Sequence, residues 1–317
     1  MRAAFRVVAV VLVLLIVGGL VFYFNPLWVA DQELRFGLWR QGVKSEYVEV
    51  GGYRLHYFEA QPAGGGGAPL LLVHGLGARG EDWAKMIPAL AAQGFHVYVP
   101  DLLGYGRSEK PDVSYSVSME EDVVVKFMQA MHLSRADVGG WSMGGWISMK
   151  LALDHPELVD RLVVYDSAGV YFPATFGPDL FVPVDEEGIV HLMKILSPHP
   201  REVPGFVAAA ILRKIGRNGW VVSRSMTSMT DGRDLLDFRL HDLKQPTLVV
   251  WGSRDDLIPV SAGKKIHDLI LNSSLLVVDG CGHLAPAECA APVVQGTVDF
   301  LKAEPAAVGV EKTVAGN

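Results

Sequence analysis

The chain has 317 residues, half of them hydrophobic and a fifth charged, with a formal net charge of −7. That length holds one large α/β domain with an insertion, or two small domains. The acidic balance, with no long basic run, argues against a nucleic-acid partner. The cysteine complement, Cys281 and Cys289, is too small for a disulfide framework and reads as two unpaired thiols. No Cys/His cluster has metal-ligand spacing, so the expectation is a protein without metal or cofactor.

The surplus apolar sequence lies at the front. Residues 1–6 form a basic flank with Arg2 and Arg6, and residues 7–24 are an apolar run of 18 residues without a charge. At ~1.5 Å per residue this roughly spans the ~30 Å hydrocarbon core of a bilayer. Tyr23 and Trp28 at its far end suit the headgroup region. A cleaved signal peptide has a shorter apolar stretch and a small-x-small cleavage site, which Trp28-Val29-Ala30 does not supply. The segment therefore reads as a single-pass transmembrane anchor, followed by a connector at 25–44. Arg2 and Arg6 nearly balance Arg35, Arg40 and Lys44 across the span. The closeness of the first pair to the apolar run favours a catalytic domain on the non-cytoplasmic side.

Beyond the connector, Glu46–Val50 and Tyr53–Glu59 alternate around Gly51-Gly52, the signal of a two-residue hairpin. Short apolar runs then alternate with helical patterns. Leu70–Val73, His96–Pro100, Ala136–Trp141 and Leu162–Tyr165 are strands; Trp83–Ala92, Met119–Met131 and Met143–Leu153 are helices. This rhythm predicts βαβ units and a mostly parallel sheet flanked by helices. It breaks at Gly169 and resumes with Thr247–Trp251, Ala262–Leu271, Leu275–Val278 and Pro292–Leu301. The expected organisation is an α/β core at 45–169 and 244–302, a helical cap inserted at 170–243, and a flexible tail at 303–317.

The residues suited to chemistry cluster at predicted strand ends. Gly140-Trp141-Ser142-Met143-Gly144-Gly145 lies where an apolar strand turns into a helix. A serine hydroxyl becomes a useful nucleophile when a sharp turn exposes it and a base can take its proton. Glycines two positions before and after it remove the side chains that such a turn would force into collision. The backbone N–H of Met143, at the positive end of the helix, and that of Leu76, in His74-Gly75-Leu76-Gly77, are expected to form an oxyanion hole. Asp255 follows the strand ending at Trp251-Gly252 and is the candidate acid; Asp256 reads as a solvated neighbour and Asp166 as a loop-capping carboxylate. His283 follows the last core strand in Gly280-Cys281-Gly282-His283 and is the candidate base. His74, at a strand end ahead of the nucleophile, reads as a loop brace.

These motifs, with Asp101-Leu102-Leu103-Gly104-Tyr105-Gly106-Arg107-Ser108, resemble the α/β-hydrolase fold superfamily, whose chain order of Ser, Asp, His they follow. The resemblance runs from about residue 46 to 302. With the anchor, Ser142-Met143-Gly144-Gly145 and Val164-Tyr165-Asp166-Ser167-Ala168-Gly169, the chain is similar to bacterial lipases and esterases and to membrane-bound monoacylglycerol lipases. Trp141 departs from the family, which often has His, Asn or Thr before the nucleophile. Pro286 lies one position later than a proline common after the family histidine. The resemblance implies a Ser142–Asp255–His283 triad. It also implies a serine esterase acting on acylglycerol or other lipid-like esters, with the membrane as partner through the N-terminal helix. The apolar cap, with Phe172, Phe176, Phe181, Leu192, Leu196 and Met226, suits an acyl chain. Two alternatives are a carbon–carbon bond hydrolase of ring-cleavage diketones and an inactive membrane-tethered binding protein of the same fold.

Overall fold

Among residues 2–316, which the computed structural model describes, the chain forms one nine-stranded sheet with helices on both faces. Met1 and Asn317, the outermost residues of the expected flank and tail, lie outside the described residues. Helix α1 (Arg2–Phe24) and helix α2 (Pro26–Arg40) lead into the hairpin β1 (Lys44–Val50) and β2 (Tyr53–Ala60), which turns on Gly51 and Gly52, both at positive φ. The alternating part follows: β3 (Ala68–Val73), α3 (Met86–Ala92), β4 (Phe95–Pro100), α4 (Val117–Ala130), β5 (Ala136–Trp141), α5 (Met143–Asp154) and β6 (Val159–Tyr165). The cap carries α6 (Glu186–Leu196) and α7 (Gly205–Thr230). The core closes with β7 (Thr247–Gly252), α8 (Val260–Leu269), β8 (Ser273–Asp279), α9 (Ala285–Glu288), α10 (Ala290–Lys302) and β9 (Glu311–Ala315).

The sheet order is β1-β2-β4-β3-β5-β6-β7-β8-β9, antiparallel at the β1–β2 and β2–β4 pairs and parallel elsewhere. Two apolar clusters cover its faces. One joins the α4 and α5 side to the base of the cap, the other joins α3 and α10. A parallel strand covered on both faces must be apolar throughout, and Leu70 to Val73 are fully buried. The parallel strands β3 and β5–β8 deliver their carboxyl ends to one edge, where the loops bearing Leu76, Ser142, Asp166, Asp255 and His283 emerge.

Two expectations need correction, those for the tail and the cysteines, and the connector gains a structure of its own. The tail expected to be flexible at 303–317 contains β9, which pairs with β8 from Leu275 opposite Glu311 to Asp279 opposite Ala315. A short, polar, exposed strand has no alternating apolar signal of its own, and the free edge of β8 supplies the pairing. The 25–44 connector is mostly helix. Its Asp31 takes Arg79 at 2.5 and 3.0 Å, and Arg35 Nε donates to the buried Glu81 at 3.2 Å. This bolts α2 to the turn following β3. Cys281 and Cys289 are joined in a disulfide with Cα atoms 6.4 Å apart, because the short α9 turns the chain back on itself.

Residues Phe5–Phe24 of α1 make a helix long and apolar enough to cross a membrane, and none of that stretch is buried in the protein. Its far end meets the cap: Phe206 of α7 packs edge-on to Phe22 and stacks on Tyr23, with ring centroids 5.6 and 5.4 Å apart.

Candidate active site

Ser142 sits between β5 and α5 at φ 57° and ψ −120°, a conformation that L-residues avoid and that costs about 1–3 kcal/mol. The turn is held by hydrogen bonds from Ser142 N–H to the Tyr165 carbonyl and from the Gly145 and Ala168 N–H groups to the Ser142 carbonyl. Space around it is minimal. A Cβ on Gly140 would collide with the Gly144 carbonyl, and one on Gly144 would collide with the Val73 carbonyl. Glycine at these two positions is therefore a steric requirement of the turn.

The Met143 N–H opens α5, where first-turn donors have no helical acceptor. Among the described residues, neither it nor the Leu76 N–H joins a turn or loop hydrogen bond. His74, fully buried, braces the Leu76 loop: Nδ1–H donates to the Gly75 carbonyl at 2.8 Å, and Nε2 accepts from Leu102 N–H at 3.0 Å. Burial lowers its pKa, which matches a neutral ring with one donor and one acceptor. Asp101 performs a similar task one loop further on. It takes the N–H groups of Gly80 and Arg107 and the ring of His56. Burial pushes its carboxyl up, but these contacts, led by His56, hold it down to about 2.

His283 and Asp255 come together across 28 residues of sequence. Asp255 Oδ2 takes His283 Nδ1 at 2.8 Å, while its Oδ1 accepts the Leu257 and Ile258 N–H groups, both at 2.9 Å. With Nδ1–H donating to the carboxylate, Nε2 is left with a lone pair. Ser142 and His283 line one cavity of about 410 Å³. No hydrogen bond joins the two side chains; a nucleophile–base contact commonly tightens only in a substrate complex.

The other two carboxylates lie elsewhere. Asp256 is exposed. Asp166 is fully buried behind the site, at φ 43°, with Oδ1 accepting Gly252 N–H at 2.7 Å. Burial and then the nearby Asp255 hold its carboxyl well above the usual carboxylate range.

Two contributors escaped the sequence reading. The Trp141 indole donates to the His283 carbonyl at 2.8 Å and tilts against the imidazole with centroids 5.6 Å apart. The bulky residue before Ser142 thus braces the histidine loop, and its departure from the family pattern was the available signal. The Cys281–Cys289 disulfide encloses that same loop.

A second cavity of about 250 Å³ also reaches Ser142. It is walled by apolar side chains, including Trp146, Phe172, Phe176, Phe181 and Met226. Leu192, Leu196 and Ile211 of the cap line the larger cavity instead.

Comparison with known proteins agrees with this fold. A family model described as alpha/beta hydrolase fold matches residues 68–194. The 2-hydroxymuconate semialdehyde hydrolase of Pseudomonas sp. strain CF600 is 32% identical over 265 residues, 77% of this chain and 90% of that protein. The chain belongs to the α/β-hydrolase fold family. Lipase 1 of Psychrobacter immobilis is 29% identical over 233 residues, covering 70% of this chain and 73% of the lipase. Among solved structures, a membrane phospholipase A described as a novel bacterial virulence factor superposes with a TM-score of 0.77 at 26% identity. That match covers 95% of this chain and 98% of the other. Hydrolase chemistry is what these relatives share.

Proposed function

We propose that the protein is a membrane-anchored serine hydrolase that cleaves carboxylic esters of lipid-like substrates. In this reading Ser142 is the nucleophile, His283 the base and Asp255 its orienting acid. His283 Nε2 takes the hydroxyl proton as Ser142 Oγ attacks the ester carbonyl, and the Leu76 and Met143 amides receive the oxyanion. The tetrahedral intermediate collapses, and the leaving alcohol takes the proton from His283. Water, deprotonated by His283, then attacks the acyl-enzyme, releasing the carboxylic acid and restoring Ser142.

The observation that carries the ester reading is the apolar cavity opening at Ser142, which suits an acyl chain rather than a small polar group. The unburied helix Phe5–Phe24 supports an anchor, and its packing on α7 holds the cap near the bilayer surface. The disulfide supports the expected non-cytoplasmic side, because such bonds persist in oxidising compartments.

A series of p-nitrophenyl esters assayed on membrane-bound protein, against a Ser142→Ala background, tests this. Burying six more methylenes should raise kcat/KM from acetate to octanoate by about ten-fold or more. A profile that peaks at acetate would contradict it. The second reading, hydrolysis of a carbon–carbon bond in a ring-cleavage diketone, is favoured by the Pseudomonas relative. It gains if such a diketone turns over faster than the octanoate.

A further inference from the structure

The two cavities meeting at Ser142 differ in charge. The smaller one has no charged side chain in its wall. The larger passes Leu27 of α2 and includes Arg79, Asp82, Lys110, Lys214 and Asn218. Three cations therefore face one carboxylate, and their own partners sharpen the imbalance. Arg79 is committed to Asp31, with Glu81 3.7 Å away. Asp82 Oδ2 accepts the Arg79 N–H at 2.9 Å and forms no ion pair among the described residues. Among the described residues Lys110 Nζ donates only to the carbonyls of Gly106 and Ser108, at 3.0 Å each. Lys214, on the cap helix, makes neither a hydrogen bond nor an ion pair among the described residues. Two ammonium groups without a carboxylate partner thus line the cavity that also contains the nucleophile.

We propose that this arm receives an anionic group on the substrate, and that Lys214 and Lys110 determine the preference for it. The proposal rests on the ester reading above and adds a head-group class to it. The acyl chain fills the apolar arm, the ester carbonyl lies at Ser142, and the alcohol portion carries the anion toward the two lysines. Recession from bulk water and then Arg79 lower the pKa of Lys214, against the opposing pull of Asp31, Asp82 and Glu81, none of which forms an ion pair with it among the described residues. A phosphate and a carboxylate satisfy the same chemistry. A lysine reads either as a point charge.

Three esters of one chain length separate the possibilities: decanoylglycerol, decanoylglycerol phosphate and decanoylglycerate. A hydrogen bond to a charged group is worth about 1.5–3 kcal/mol, so an anionic ester should exceed the neutral one in kcat/KM by about ten-fold or more. Preference for the phosphate identifies a phospholipid-type head group, and preference for the glycerate a carboxylate. Lys214→Gln should collapse the anionic-to-neutral ratio, and Lys214→Arg should restore most of it. Raising sodium chloride should raise KM for the anionic esters alone in the wild-type protein, a measurement that needs no variant to fold. A ratio near one in the wild type, or one unchanged in Lys214→Gln, overturns the proposal while leaving the ester reading intact. No hydrolysis of any of the three removes both.

Discussion

Replacing Ser142 by alanine lowers kcat/KM on the octanoyl ester by about 10⁴-fold or more, about 5.5 kcal/mol of lost transition-state stabilisation. The residue that remains occupies the same turn. Among the described residues Ser142 Oγ makes no hydrogen bond, and the contacts that hold the turn come from backbone groups. The melting temperature should accordingly shift by no more than about 3 °C. A variant that melts normally and retains wild-type turnover would remove Ser142 from the chemistry.

The second large effect separates two buried carboxylates that lie near one another. Asp255→Asn leaves the packing intact but offers an amide where His283 Nδ1–H needs a carboxylate, favouring the wrong tautomer; the expected loss is about 10⁴-fold in kcat. Asp166→Asn should lower kcat by no more than about three-fold, because His283 pairs with Asp255 and not with Asp166, and an Asn oxygen can still accept the Gly252 N–H. Steady-state kinetics on both variants decide the matter. The reverse ranking would make Asp166 the orienting acid and require His283 to swing away from Asp255.

Much of this arrangement was legible because its signals are local. A strand that must be buried on both faces writes itself as an apolar run, and Leu70–Val73, Ala136–Trp141 and Thr247–Trp251 do so. The sharp turn at Ser142 demands small residues at fixed offsets, so Gly140 and Gly144 mark it within five residues. The chain order of Ser142, Asp255 and His283 follows from where parallel strands end. The features that stayed hidden depend on distant partners. Strand β9 is polar, and only the open edge of β8 makes it a strand. Helix α7 runs through Gly216 and Gly219, each costing about 1 kcal/mol against alanine, and packing against α2 and α6 outweighs that local preference. The disulfide needed α9 to turn the chain, and the Trp141 brace needed the β5 end and the histidine loop to meet. The charged and apolar arms were the least legible. Their walls join residues from the β3 and β4 loops, α2 and the cap, and no sequence spacing relates those elements.

The N-terminal apolar helix and the site are also close together. Leu27 lines the larger cavity only three residues after α1 ends, and Asp31 of the same helix holds Arg79 at its wall. The segment that leaves the apolar helix is thus part of the cavity wall.

The most direct measurement is covalent labelling by a fluorophosphonate, followed by peptide mapping. A hydroxyl activated by a neighbouring imidazole should take one equivalent of label on the peptide containing Ser142, and His283→Ala should slow that labelling by orders of magnitude. Label recovered on another residue, or labelling of Ser142 at an unchanged rate without His283, would contradict the account.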